Sequence, residues 1–94
     1  MISRQLDLFE EDQAGLIRAC EQAESAYDSA GRDEAEERFG DYQDLVETAT
    51  EILADARDHF AATLGDAAAE RYGAAFNRAV RKRLPRFALE LENR

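Results

Sequence analysis

Residues 34–64 read EAEERFGDYQDLVETATEILADARDHFAATL, and this stretch decides the fold. Apolar side chains, with one threonine at the end, recur through it in unbroken steps of four and three: Ala35, Phe39, Tyr42, Val46, Ala49, Leu53, Ala56, Phe60 and Thr63. This spacing matches the period of an α-helix and places all of them on one face. It predicts a long amphipathic central helix over residues 34–64.

The segment before it shows the same alternation. Its seam contains Ile2, Leu6, Phe9, Gln13, Leu16, Cys20, Ala23, Tyr27 and Ala30, and Gln13 is the one strongly polar member. The pattern predicts a first helix over about residues 4–30. Gly31 is expected to end it in the left-handed conformation that glycine adopts easily.

The segment after it begins beyond Gly65, where an apolar stripe with steps of four predicts a third helix over residues 67–83. Pro85 either kinks and stops this helix or begins a short final helix over about residues 86–92. The expected fold is all-α: one domain over residues 1–94, an antiparallel three-helix up-down bundle with a long central helix and a Pro-kinked C-terminal helix.

Charge is the main compositional feature. The 94 residues contain 21 Asp and Glu against 12 Lys and Arg, a formal net charge of −9. A polybasic membrane-binding protein or a general nucleic-acid coat would need the opposite sign. The chain has one cysteine and no apolar run long enough for a signal or a membrane span, so we expect a cytoplasmic protein that does not bind membranes. Its excess of Ala and Arg is typical of a GC-rich prokaryotic genome.

The charges are unevenly distributed. Residues 1–65 carry 17 acidic and 5 basic side chains, whereas residues 66–94 carry 4 acidic and 7 basic ones. Five acids share the predicted outer face of the central helix and suggest a solvated surface: Asp44, Glu47, Glu51, Asp55 and Asp58. The basic side chains near the C-terminus are nucleic-acid candidates or partners for acids in this chain or another: Arg71, Arg78, Arg81, Lys82, Arg83 and Arg86.

No catalytic or cofactor motif stands out. His59 is the only histidine, and Asp55 lies four residues before it, but two possible ligands do not make a metal site. Cys20 falls in the seam of the first helix, where a buried thiol is expected. We therefore expect no enzymatic activity, no cofactor and no metal.

A second apolar row widens the face of the central helix, and further apolar residues follow Pro85. Together these residues form more apolar surface than one neighbouring helix can cover, and this favours association with another chain. The partner-interface candidates are Leu45, Ile52, His59, Phe87 and Leu91. We expect a homo-oligomer, with a dimer favoured, or a complex with another helical protein. The predicted function is a protein–protein interaction or self-assembly module, and the alternative is a nucleic-acid-associated accessory factor that uses the basic C-terminal helix.

Overall fold

The computed structural model describes residues 1–94 and consists of helices without strands, which confirms the all-α class. It contains five helices: α1 Ile2–Asp12, α2 Ala14–Asp28, α3 Ala35–Ala61, α4 Asp66–Arg83 and α5 Pro85–Glu92. None of them is both long enough and apolar enough to cross a membrane.

The first predicted helix is interrupted at Gln13, the polar member of its seam. Gln13 has φ −111° and ψ 23°, outside the helical range, and separates α1 from α2. Its N–H still donates to the Phe9 carbonyl at 2.8 Å, and its carbonyl accepts from the N–H of Ile17 at 2.9 Å. The interruption is therefore a kink at a single residue, across which hydrogen bonds of helical spacing continue.

The connections are short and need no left-handed residue. No glycine has a positive φ, so the left-handed conformation expected for Gly31 is wrong. Instead, the Gly31 carbonyl accepts hydrogen bonds from the N–H groups of Glu34 and Ala35, and this turn leads directly into α3. Gly65 has an extended conformation and precedes the first residue of α4.

The core is formed by side chains from all five helices: Leu6, Phe9, Cys20, Val46, Ala49, Leu53, Ala54, Phe76, Val80, Phe87, Ala88 and Leu91. Pro85 occupies the first position of α5, where its missing N–H leaves no bond unmade. The α5 helix then folds back along α4, and an ion pair between Arg81 and Glu92 joins the two. The chain thereby covers the face of α3 with its own C-terminus.

The molecule is elongated. Its principal dimensions are 51 × 24 × 19 Å. The 27 residues of α3 account for about 40 Å of that length. At the end where α2 connects to α3, the rings of Tyr27 and Phe39 lie 5.4 Å apart, one on each side of the connection.

Candidate functional site

Three of the six basic side chains proposed for nucleic-acid contact are bound to acids of this chain. Arg81 pairs with Glu92. Arg83 joins the end of α4 to α1, where it pairs with Asp7 and with Glu10, the latter at 2.6 Å. Arg86, the third, pairs with Glu24. The other three form no ion pair and lie exposed on α4: Arg71, Arg78 and Lys82.

Arg86 joins α5 to both helices of the α2–α3 pair. Its Nη1 donates to the Tyr42 hydroxyl at 3.0 Å and lies 3.3 Å from a carboxylate oxygen of Glu24. The guanidinium also lies 5.6 Å from the centre of the Tyr42 ring, within the range of a cation–π interaction. The carboxylate of Glu24 thus compensates the positive charge of Arg86, and about a quarter of the Arg86 side chain is exposed.

The partner-interface candidates occupy three different environments. Phe87 and Leu91 are buried within the chain, with 1% and 0% of their surface exposed, and therefore offer no surface to a partner. Leu45 and Ile52 are partly buried against the core, and His59 is exposed. The apolar residues that follow Pro85 are thus largely buried by their own chain, because Pro85 starts a helix that packs onto the core.

Arg57 is the one important side chain that the sequence patterns did not single out. It is buried, with 6% of its surface exposed, although it carries a charge. Its Nη1 donates to Asn77 Oδ1 at 3.0 Å and to the Leu91 carbonyl at 3.1 Å, and its Nε donates to Asp58 at 2.8 Å. It therefore ties α3 to the middle of α4 and the end of α5. Its position in the sequence could have predicted this burial, because Arg57 follows Leu53 by four residues and Val46 by eleven and so lies on the same face of α3.

Exposed apolar side chains concentrate at the α2–α3 end. Five large apolar residues are exposed in the whole chain, and one of them, Phe39, lies beside Tyr27 and lines the same groove as Leu89. Phe39 and Leu89 line a groove of about 320 Å³ between α3 and α5, with Tyr42 and Val46 also in its wall. We call this the α3–α5 groove.

The position of Phe39 on α3 explains why the groove is apolar. Phe39 lies seven residues before Val46, about two turns, so the two side chains point to nearly the same side. Val46 is buried at 8% exposure, whereas Phe39 remains 45% exposed. The core-facing side of α3 therefore continues past the point where the other helices cover it.

A second apolar groove, of about 250 Å³, lies between α1 and α3. Leu8, Phe9, Ile52 and Ala56 contribute its apolar wall. Leu8 is its one exposed large apolar residue. We call it the α1–α3 groove; it has one exposed large apolar side chain, whereas the α3–α5 groove has two.

The remaining candidate chemistry is sparse. No group of three or more His, Cys, Asp or Glu side chains is arranged to hold a metal ion, and both Asp55 and His59 are exposed. The five acids of the α3 stripe are also exposed. Cys20 is completely buried, and burial raises the pKa of its thiol, an effect that the nearby charge of Arg86 partly opposes.

Comparison with known proteins finds no matching family model, curated protein or solved structure.

Proposed function

We propose that this protein is a protein–protein interaction module that binds its partner through the α3–α5 groove. The observation that carries the proposal is that exposed Phe39 and Leu89 line one groove and that exposed Tyr27 packs beside Phe39. Aromatic side chains in partly covered pockets are common anchors of protein interfaces. Leu89, at 75% exposure, contributes little to the core and is available to a partner.

A self-associating dimer through α3 has less support than the sequence suggested. That expectation depended on apolar residues of α3 and beyond Pro85; Phe87 and Leu91 are buried within the chain, and Leu45 and Ile52 are partly buried against the core. What remains exposed lies at the end of α3, around Phe39. The proposal therefore assigns the interface to this end and leaves the middle of α3 to the core.

The nucleic-acid alternative also has less support. Only three cations on α4 stay free of carboxylate partners: Arg71, Arg78 and Lys82. Electrostatic affinity for a phosphate backbone grows with the number of phosphates that cations neutralise, and strongly salt-dependent binders make about 6–10 such contacts. Three cations on a chain of net charge −9 would have to overcome the repulsion of the rest of the molecule.

Site-specific photocrosslinking in cells that naturally make the protein tests the proposal. A photoreactive amino acid is placed at Leu89, in the α3–α5 groove, and in a matched control at Leu8, in the α1–α3 groove. We expect discrete adducts from position 89 and none from position 8, because Leu89 shares its groove with the exposed Phe39, whereas Leu8 is the one exposed large apolar side chain of its groove. Denaturing gels and mass spectrometry identify the adducts.

A crosslinked protein supports the proposal only if, after purification, it binds this chain without the crosslink. It must bind the wild-type chain and lose at least about tenfold in affinity for the Phe39→Ser/Leu89→Ser double variant, since interface anchors carry most of the binding energy. An adduct of twice the 10.6 kDa chain mass would instead identify a second copy as the partner. Equal adducts at both positions, or none at position 89, would contradict the proposal.

A further inference from the structure

We infer that the α3–α5 groove takes an amphipathic helix whose apolar stripe is bordered by Lys or Arg. The inference rests on the proposed function and names the chemistry of the partner. A groove between two helices receives a third helix through apolar residues spaced at i, i+3 or i+4, and i+7. Phe39, Val46 and Leu89 form the apolar wall that such a stripe would contact.

The charge around the groove selects the sign of its occupant. Glu90 lines the groove. Glu36 and Glu47 are exposed on α3, three residues before Phe39 and eight after it, and helical spacing turns both by about 60–80° from Phe39 toward the Gln43 side of the groove, so they border it without lining it. None of these three carboxylates forms an ion pair within the chain. They are therefore free to meet cations on a partner.

The surroundings strengthen the same field. Residues 21–47, which form most of the α2–α3 end, contain 10 acidic and 2 basic side chains, a net charge of −8. Arg86 is the cation in the groove wall, and Glu24 and Tyr42 already bind it. Its charge is therefore compensated locally and does not reverse the negative potential at the rim.

A second copy of this chain fits the groove poorly. Two copies joined groove to groove would bring two ends of charge −8 together, and like charges across an interface oppose association. The exposed cations Arg71, Arg78 and Lys82 of a second copy lie on α4, where no large apolar side chain is exposed. That helix would supply the charge without the apolar stripe, so a different protein is the better occupant.

Model peptides of about 18 residues, five helical turns, test the inference. The first has Leu on one face and Lys on the other. The second replaces Lys with Gln, the third replaces Lys with Glu, and the fourth is a scramble of the first. Each carries a fluorophore, and anisotropy measures its affinity for the purified chain at low and at high salt.

Five forms of the protein are compared. The groove variant is Phe39→Ser/Leu89→Ser, and Leu8→Ser is its control on the other exposed apolar site. The rim variant removes three charges by Glu36→Gln, Glu47→Gln and Glu90→Gln. Its control removes three charges elsewhere, by Glu11→Gln, Asp12→Asn and Glu70→Gln, none of which forms an ion pair in the wild-type chain. Circular dichroism establishes that each variant is folded, and Leu89→Ser alone replaces the groove variant if it is not.

The inference predicts that the Leu/Lys helix binds wild type at least about tenfold more tightly than the Leu/Gln helix, and that high salt reduces this advantage. The groove variant and the rim variant each lose about tenfold, whereas both controls stay within about twofold of wild type. The Leu/Glu helix and the scramble bind at least about tenfold more weakly than the Leu/Lys helix.

Three results would overturn the inference. The scramble could bind as tightly as the helix, or the remote charge control could lose as much as the rim variant, and either would show general attraction to an acidic protein. The Leu/Gln helix could match the Leu/Lys helix while the groove variant binds neither. In that third case the groove remains a docking site and only the cationic partner is wrong. The proposed function itself fails if the groove variant keeps full affinity and position 89 gives no crosslink.

Discussion

Replacement of Phe87 by alanine is expected to lower the free energy of unfolding by about 4 kcal/mol, the range for emptying a buried phenylalanine site. Phe87 is 1% exposed, and its ring meets Phe9 edge to face at a centroid distance of 6.2 Å. The substitution removes this contact between α5 and α1 and leaves a cavity in the core. Urea unfolding followed by circular dichroism measures the loss.

Phe39→Ala is the matched control, since it removes the same side chain from an exposed position. Phe39 is 45% exposed, so we expect its loss to cost less than about 1.5 kcal/mol. The unfolding midpoint of the wild-type chain should also be independent of protein concentration, because the same chain covers Phe87. A midpoint that rises with protein concentration would show that a second molecule buries Phe87. Equal costs for the two substitutions would show that Phe87 is no more buried than Phe39.

Replacement of Arg57 by alanine is expected to cost about 3 kcal/mol of unfolding free energy. The guanidinium is buried and donates to Asn77, to the Leu91 carbonyl and to Asp58. Its removal leaves the Asn77 and Leu91 acceptors without this donor, and each unmade buried bond costs about 1–3 kcal/mol. It also removes a cation from the C-terminal end of α5, where a positive charge favours the helix dipole.

Two further variants separate the contributions of Arg57. Arg57→Lys keeps the charge but loses the planar guanidinium that reaches two helices at once, so we expect it to recover less than half of the loss. Arg32→Ala removes an exposed arginine from the α2–α3 connection and should change stability by no more than about 0.5 kcal/mol. The same urea experiment measures both. A loss below about 1 kcal/mol for Arg57→Ala would show that this side chain does not hold the three helices together.

The sequence predicts the all-α class because every apolar seam follows the helical period. It also contains the signal for the break in the first helix, since Gln13 is the polar member of that seam and lies at the kink. The pattern cannot specify how sharply a helix bends there, because the angle depends on which partners α1 contacts. Those partners, Arg83 and Phe87, lie more than seventy residues further along the chain.

The candidate site was harder to predict for a related physical reason. An amphipathic pattern identifies a face that must be covered, and it does not say what covers it. Phe87 and Leu91 suggested a partner, yet α5 buries both inside its own chain. Phe39 has the phase of a core residue and remains 45% exposed, because Tyr27 of α2 and the end of α5 cover it only in part.

Electrostatic contacts show the same limit. From the sequence, the basic residues near the C-terminus could contact either nucleic acid or acidic side chains of this chain. Their spacing does not distinguish these two kinds of partner. The fold brings Arg83 to Asp7 and Glu10, and it brings Arg86 to Glu24, across separations of more than sixty residues. Only tertiary structure identifies which charges remain available to a partner.

The most direct test of the docking surface is a nuclear magnetic resonance titration of the isotope-labelled chain with the Leu/Lys helix. We predict that the backbone amide signals which shift belong to residues 36–47 and 86–93 and to the surroundings of Tyr27, the parts of α2, α3 and α5 that border the groove. Shifts centred on Leu8, Ile52 and Ala56, or spread over all acidic segments alike, would contradict the assignment of the α3–α5 groove as the docking surface.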